Sequence, residues 1–222
     1  MSLEGLKLAV LGDSITEGVG VTDPENMFYR QLQRQEGFRA LCINGISGSR
    51  FAAQREPTMF ELRADRNFIP RVEELDEDSD IILVFGGTND FGHGDAPLGT
   101  AADRTEYTFH GACNLLCERL IRRFPDKLIV FMGPLHREVE NEPAGTPGRK
   151  PGPVGTLYDY CRIIQETTKR YGIPYLDMLA VSGMTPLIPE QKELFMPDGL
   201  HPNDAGHTRI AQRLAAFLKT LL

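Results

Sequence analysis

Five short apolar runs punctuate this chain, and their spacing constrains its fold more than any other feature. They are LKLAVLG (6–12), RALCING (39–45), DIILVFGG (80–87), KLIVFMG (127–133) and IPYLDM (173–178), and the first four end at or near a glycine. Those four are apolar without alternation, the pattern of strands covered on both faces. Segments of helical period lie between the runs. Cys113, Cys117, Leu120, Ile121 and Phe124 share one helical face, and Ile210, Leu214, Phe217, Leu218 and Leu221 share another. Strand–helix alternation of this kind predicts an α/β protein: a parallel sheet, five-stranded on this count, between two helical layers (α/β/α). Nothing in the middle reads as a linker and no repeat is visible, so residues 1–222 are expected to form one domain. A chain of this length buries roughly 70–75% of its unfolded surface and needs no disulfide or metal to fold.

Charge and cysteine content narrow the functional classes. The net charge is −7 with no block of like charge, which argues against a groove for nucleic acid. Cys42, Cys113, Cys117 and Cys161 form no CxxC pair and read as buried free thiols. The N-terminus shows no basic stretch followed by a long apolar run, so no signal peptide is expected and the localisation expected is cytoplasmic. No apolar run approaches the ~20 residues of a membrane span.

In such a fold the loops after the strands carry the chemistry. The first run passes directly into Gly12-Asp13-Ser14. Gly12 is expected to permit a sharp turn, Asp13 to bond local amides, and Ser14 to sit beside the free amides of a starting helix. A serine at that corner is as readily a simple cap. In PDGLHPNDAGH (197–207), Asp198 and His201 are three apart, ahead of a helix starting near Asn203. That spacing lets the carboxylate hold one imidazole nitrogen while the other faces a hydroxyl, the arrangement that turns a serine into a nucleophile. DxxH alone describes many satisfied loop histidines. VFGGTNDFG (84–92) brings Asn89, with two amide donors, to the end of the third run, and INGISGSR (43–50) brings Gly48 to the end of the second. Aimed at one carbonyl oxygen, such donors stabilise the charge that acyl transfer develops. Singly, each has a bland reading as a turn residue. Together they supply nucleophile, base, orienter and oxyanion donors.

These stretches resemble, in order and across nearly the whole chain, the blocks of the SGNH hydrolases, also called the GDSL esterase/lipase family. GDSIT is similar to the first block with Ser14, ISGS to the second with Gly48, GTND to the third with Asn89, and DGLH to the last with Asp198 and His201. The resemblance implies a flavodoxin-like strand order 2-1-3-4-5, no cofactor, and an oxyanion hole of the Gly48 N–H, the Asn89 side chain and the Ser14 N–H. Ile15 stands where the family commonly has leucine. The chain lacks the GxSxG elbow of α/β-hydrolases, and Ser47 in GISGS is out of register for it.

The expected reaction is hydrolysis of an ester by Ser14, His201 and Asp198, with activity falling in acid as the imidazole protonates. The chain has no tryptophan and 8% aromatics, and the strand ends show no greasy stripe. A short acyl group on a polar alcohol, such as a carbohydrate, is therefore the expected substrate, with a lysophospholipase or thioesterase of the same family as the alternative. His136, Arg137 and Asp13 are candidate substrate contacts. His93 and His110 read as loop residues and His207 as a surface or packing residue of the last helix. The segment 140–155, with four prolines and four glycines, reads as a lid or rim. Two other classes compete: a flavodoxin-like module cradling a phosphate or flavin at GDSITEG, and a metal site built from Asp198, His201 and another carboxylate.

Overall fold

The computed structural model describes residues 2–56, 62–141 and 155–222. Strands β1 (Lys7–Gly12), β2 (Ala40–Gly45), β3 (Ile81–Phe85), β4 (Leu128–Met132) and β5 (Tyr175–Leu176) form one parallel sheet in the order β2-β1-β3-β4-β5. The helices are α1 (Ser14–Glu17), α2 (Phe28–Glu36), α3 (Phe68–Arg71), α4 (Thr88–Gly92), α5 (Phe109–Arg123), α6 (Leu157–Arg170), α7 (Met178–Val181), α8 (Pro189–Phe195) and α9 (Asp204–Leu221). The expected α/β/α architecture and strand order are both observed.

Alternation along the strands divides the core in two. Ala9, Leu11, Ile82 and Val84 join Phe68, Cys113, Leu116, Cys117 and Ile164 on one face of the sheet. Leu8, Val10, Ile81, Leu83 and Phe85 join Phe28, Leu32, Ile210, Leu214 and Leu218 on the other. Strands β1 and β3 are thus buried at every position, which is why their sequences show no polar face. The register sets Gly12 beside both Gly45 and Phe85, and Phe85 beside Met132. The strands therefore end nearly in line, and the loops after β1, β2 and β3 share one edge.

Two outer strands depart from the sequence reading. All six residues of β2 are only half-buried because it lies at the sheet margin, and Cys42 on it is half-buried while Cys113, Cys117 and Cys161 are buried. At the other margin β5 contracts to two residues. Pro174 has no N–H to give; its carbonyl accepts from Phe131 N (3.0 Å), and the run ends at Asp177, whose carboxylate caps α7 through Ala180 N (3.3 Å). The expected rim segment lies, from residue 142 to 154, outside the described residues. No helix among the described residues is long and apolar enough to cross a membrane.

Candidate active site

Ser14 opens α1 immediately after β1. Asp13 is the cap: its carboxylate accepts from Ile15 N at 3.1 Å. Burial pushes the Asp13 carboxyl up to about 7, against the pull of that amide and of Arg71. Gly12 acts differently from its expected role. Its φ is not positive, but a Cβ there would lie 2.0 Å from Thr16 Oγ1. The missing side chain lets the first turn of α1 fold back over the strand end and aim Ser14 outward.

The second element is the turn between α8 and α9. Asp198 Oδ1 accepts from Leu200 N (2.9 Å) and His201 N (2.7 Å), so the turn closes on its own carboxylate. The other oxygen, Oδ2, accepts from His201 Nδ1–H at 2.6 Å. With its proton on Nδ1, the ring presents the lone pair of Nε2 to Ser14, whose Oγ lies 3.1 Å away. Partial burial raises the Asp198 carboxyl, but the hydrogen bonds from His201 and Leu200 outweigh it and hold the group below the usual carboxylate range. Asn203 caps α9 through Gly206 N (3.0 Å), which fixes where the turn must end.

The donors come from the loops after β2 and β3. Gly48 has a φ of +76°, a conformation natural to glycine, and its N–H meets no acceptor among the described residues. The same holds for Ser14 N–H, an orphan donor of the helix start. Three side chains pin the Gly48 loop. Arg71, fully buried, donates to Gly12 O (2.9 Å), Asn44 O (2.7 Å) and Ser49 Oγ (2.9 Å), tying both strand ends to the loop. Asp90 accepts from Phe51 N and Ala52 N, both at 2.9 Å. Asn89 Nδ2 donates one hydrogen to Ser49 O (3.0 Å).

The orientation of the Asn89 amide is itself enforced. Asp65 pairs with the buried Arg50 (2.7 Å), and Arg50 Nη1 donates to His93 Nδ1 (2.7 Å). His93 Nε2–H must then donate to Asn89 Oδ1, 3.1 Å away. Nδ2 is left with its second hydrogen beyond the Ser49 bond. His93, read from sequence as a loop residue, thus lies at the end of α4 and braces Asn89. Its position four residues after Asn89 was the available signal, since such pairs share a helix face. Arg50, Arg71 and Asp90 gave no comparable signal, because their partners are distant in sequence.

A cavity of about 630 Å³ opens over this cluster, lined by Ser14, Gly48, Asn89, His93, Arg137 and His201 with Val19, Ser47, Arg63, Ala64 and Leu200. Of the candidate substrate contacts, Arg137 is in the lining and the other two are not. Asp13 is buried beneath Ser14 and occupied by the Ile15 amide. His136 lines a separate cavity, bonded to Glu140 (2.6 Å) and to Leu179 O (3.0 Å). Ser47 Oγ donates to Glu17 and bonds no histidine among the described residues. His207 is a packing residue: fully buried, it accepts from Phe28 N at the start of α2 (3.1 Å). No three metal-binding side chains converge among the described residues.

Comparison with known proteins identifies the family of the chain and its fold. Residues 10–209 match the GDSL-like lipase/acylhydrolase family. A solved structure from Lactobacillus plantarum is 32% identical over 99% of both chains, with a TM-score of 0.82. A carbohydrate acetylesterase family member from Sinorhizobium meliloti, 18% identical, shares the fold with a TM-score of 0.61 over 98% of this chain and 99% of its own. No curated protein matches the sequence.

Proposed function

The chain belongs to the GDSL-like lipase/acylhydrolase family, and from that premise we propose that it is a carboxylic ester hydrolase using Ser14, His201 and Asp198. The observation that carries the reading is one chain of contacts: Ser14 Oγ to His201 Nε2 at 3.1 Å and His201 Nδ1 to Asp198 Oδ2 at 2.6 Å, beside unused N–H donors. Ser14 Oγ attacks the carbonyl carbon as its proton passes to Nε2. Asp198 stabilises the imidazolium and keeps the tautomer. The carbonyl oxygen becomes an oxyanion held by the N–H groups of Ser14 and Gly48 and by Asn89 Nδ2, groups already fixed before substrate arrives. His201 then protonates the departing alcohol, and water releases the acid by the reverse steps.

The substrate is a short acyl group on a polar, carbohydrate-like alcohol. The modest size of the cavity supports a short acyl group, and arginine, histidine, asparagine and serine side chains in its lining offer partners to a polar alcohol beside the apolar walls of Val19, Ala64 and Leu200. The acetylesterase among the structural neighbours is in keeping with it. The phosphate-cradle alternative loses support because the Ile15 amide at the start of α1 is taken by Asp13.

The test is hydrolysis of 4-nitrophenyl esters from acetate to decanoate by the native protein and by Ser14→Ala. The expected result is highest kcat/KM at two to four carbons and a loss of at least about 10⁴-fold in the variant. A long-chain optimum would overturn the substrate class, and an active Ser14→Ala protein the mechanism.

A further inference from the structure

Arg137 is 7% exposed, lines the cavity that holds Ser14 and His201, and has no ion pair among the described residues. A buried cation is ordinarily paired, because losing water without gaining an anion is costly, and a guanidinium cannot shed its charge to escape. The two carboxylates that act on it through space, Glu140 and Asp13, are both engaged elsewhere. Glu140 accepts from Arg137's own backbone N (3.0 Å) and from His136, and Asp13 accepts from Ile15 N.

The guanidinium is nevertheless held firmly. Nη1 donates to Thr88 O (3.1 Å) and Thr88 Oγ1 (3.2 Å). The ring of Phe91 lies 5.3 Å from its central carbon. At Gly92 a Cβ would come within 2.7 Å of Nη1, so the glycine makes room for the fork against α4. Nε and Nη2 have no protein partner among the described residues. Neither is among the fully enclosed unpaired atoms of the described residues, and Arg137 belongs to the cavity lining. Asn89, on the same short helix, is the adjacent residue to Thr88. The cavity lining holds two arginines and two histidines and, among the described residues, no carboxylate side chain, in a chain whose net charge is −7. Arg63, the other arginine, is tied to Glu17 (2.6 Å).

We infer that Arg137 is a specificity residue that receives a carboxylate carried by the substrate close to its scissile ester. Two N–H groups in one plane match the two oxygens of a carboxylate, and burial strengthens the bond. The inference rests on the hydrolase reading above and sharpens its substrate class from a polar ester to an anionic one.

Two pairs of near-isosteric esters test it on either side of the bond: mono-4-nitrophenyl succinate against 4-nitrophenyl 4-methylpentanoate, and 3-acetoxybenzoate against 3-acetoxybenzamide. The native enzyme should favour the charged member of at least one pair by tenfold or more in kcat/KM. Arg137→Gln should shrink that ratio at least tenfold, and Arg137→Lys should restore part of it. Equal rates within both pairs, or an Arg137→Gln loss shared equally by charged and neutral members, would overturn the inference. Calorimetric titration of Ser14→Ala protein with the benzoate and the benzamide separates this from failure of the hydrolase reading. Tighter binding of the benzoate supports the carboxylate site even if no ester is turned over, and equal binding refutes it. Both the native ratio and this titration keep Arg137 in place, so they stand even where an Arg137 variant fails to fold.

Discussion

Replacing His93 by leucine isolates the brace behind the proposed oxyanion donors. The substitution removes the Nε2–H bond to Asn89 Oδ1 (3.1 Å) and the acceptor of Arg50 Nη1 (2.7 Å), but leaves Asn89 Nδ2 bonded to Ser49 O (3.0 Å). Losing an oxyanion donor outright costs about 10²–10³-fold in turnover, or roughly 2.7–4 kcal/mol. With one of two anchors kept, His93→Leu should cost about half that free energy, on the order of 10–30-fold in kcat, with KM changed less than about threefold. Urea unfolding should show a separate stability loss of about 1–3 kcal/mol from the stranded Arg50 donor. The informative comparison is the double mutant on 4-nitrophenyl acetate. If His93 works only through Asn89, His93→Leu/Asn89→Ala should match Asn89→Ala within about threefold, since contacting residues of one network are not additive. A further tenfold loss in the double mutant would show that His93 acts on the substrate or on His201 directly, and the bracing argument would be wrong.

Two predictions concern the fold. Burial lowers the His207 imidazole from the ordinary 6.5 to about 4; between those values the unfolded chain binds a proton that the folded chain does not. Stability from this residue is complete above about pH 6.5 and declines as pH falls toward 4, by about 3 kcal/mol, and the difference between the native protein and His207→Gln in urea unfolding at pH 7 and pH 4 measures it; identical pH slopes would contradict it. Gly12→Ala would set a methyl 2.0 Å from Thr16 Oγ1 and 2.5 Å from Thr16 Cβ, so it should destabilise by about 1–3 kcal/mol or more and displace Ser14, whereas Gly12→Ala/Thr16→Gly, with both obstructing atoms gone, should recover part of the loss.

The inner strands were legible because β1 and β3 are covered on both faces, which leaves an uninterrupted apolar run. The margins were not. β2 carries the same kind of run while half-exposed, and β5 is cut short by Pro174, whose effect depends on which neighbour it faces. At the site, Ser14, Asp198 and His201 could be singled out because each sits in a local pattern with its own turn chemistry, and the structure brings all three together. The supports could not. Arg71 meets Gly12, Asn44 and Ser49, and Arg50 meets Asp65 and His93, through contacts that exist only once the sheet has formed. For the same reason the sequence does not show that Asp13 and His136 lie outside the cavity lining. Nearness to the strand ends placed them at the edge, but burial under Ser14 and a turn toward Glu140 keep them out of the cavity.

The central claim is that His201 makes the Ser14 hydroxyl a nucleophile. Incubation with a fluorophosphonate, followed by peptide mass spectrometry, tests it most directly. The account predicts one covalent adduct, on Ser14, formed in step with loss of esterase activity and suppressed in His201→Ala. An adduct on Ser47 or another residue, or esterase activity lost while Ser14 remains unmodified, would contradict it.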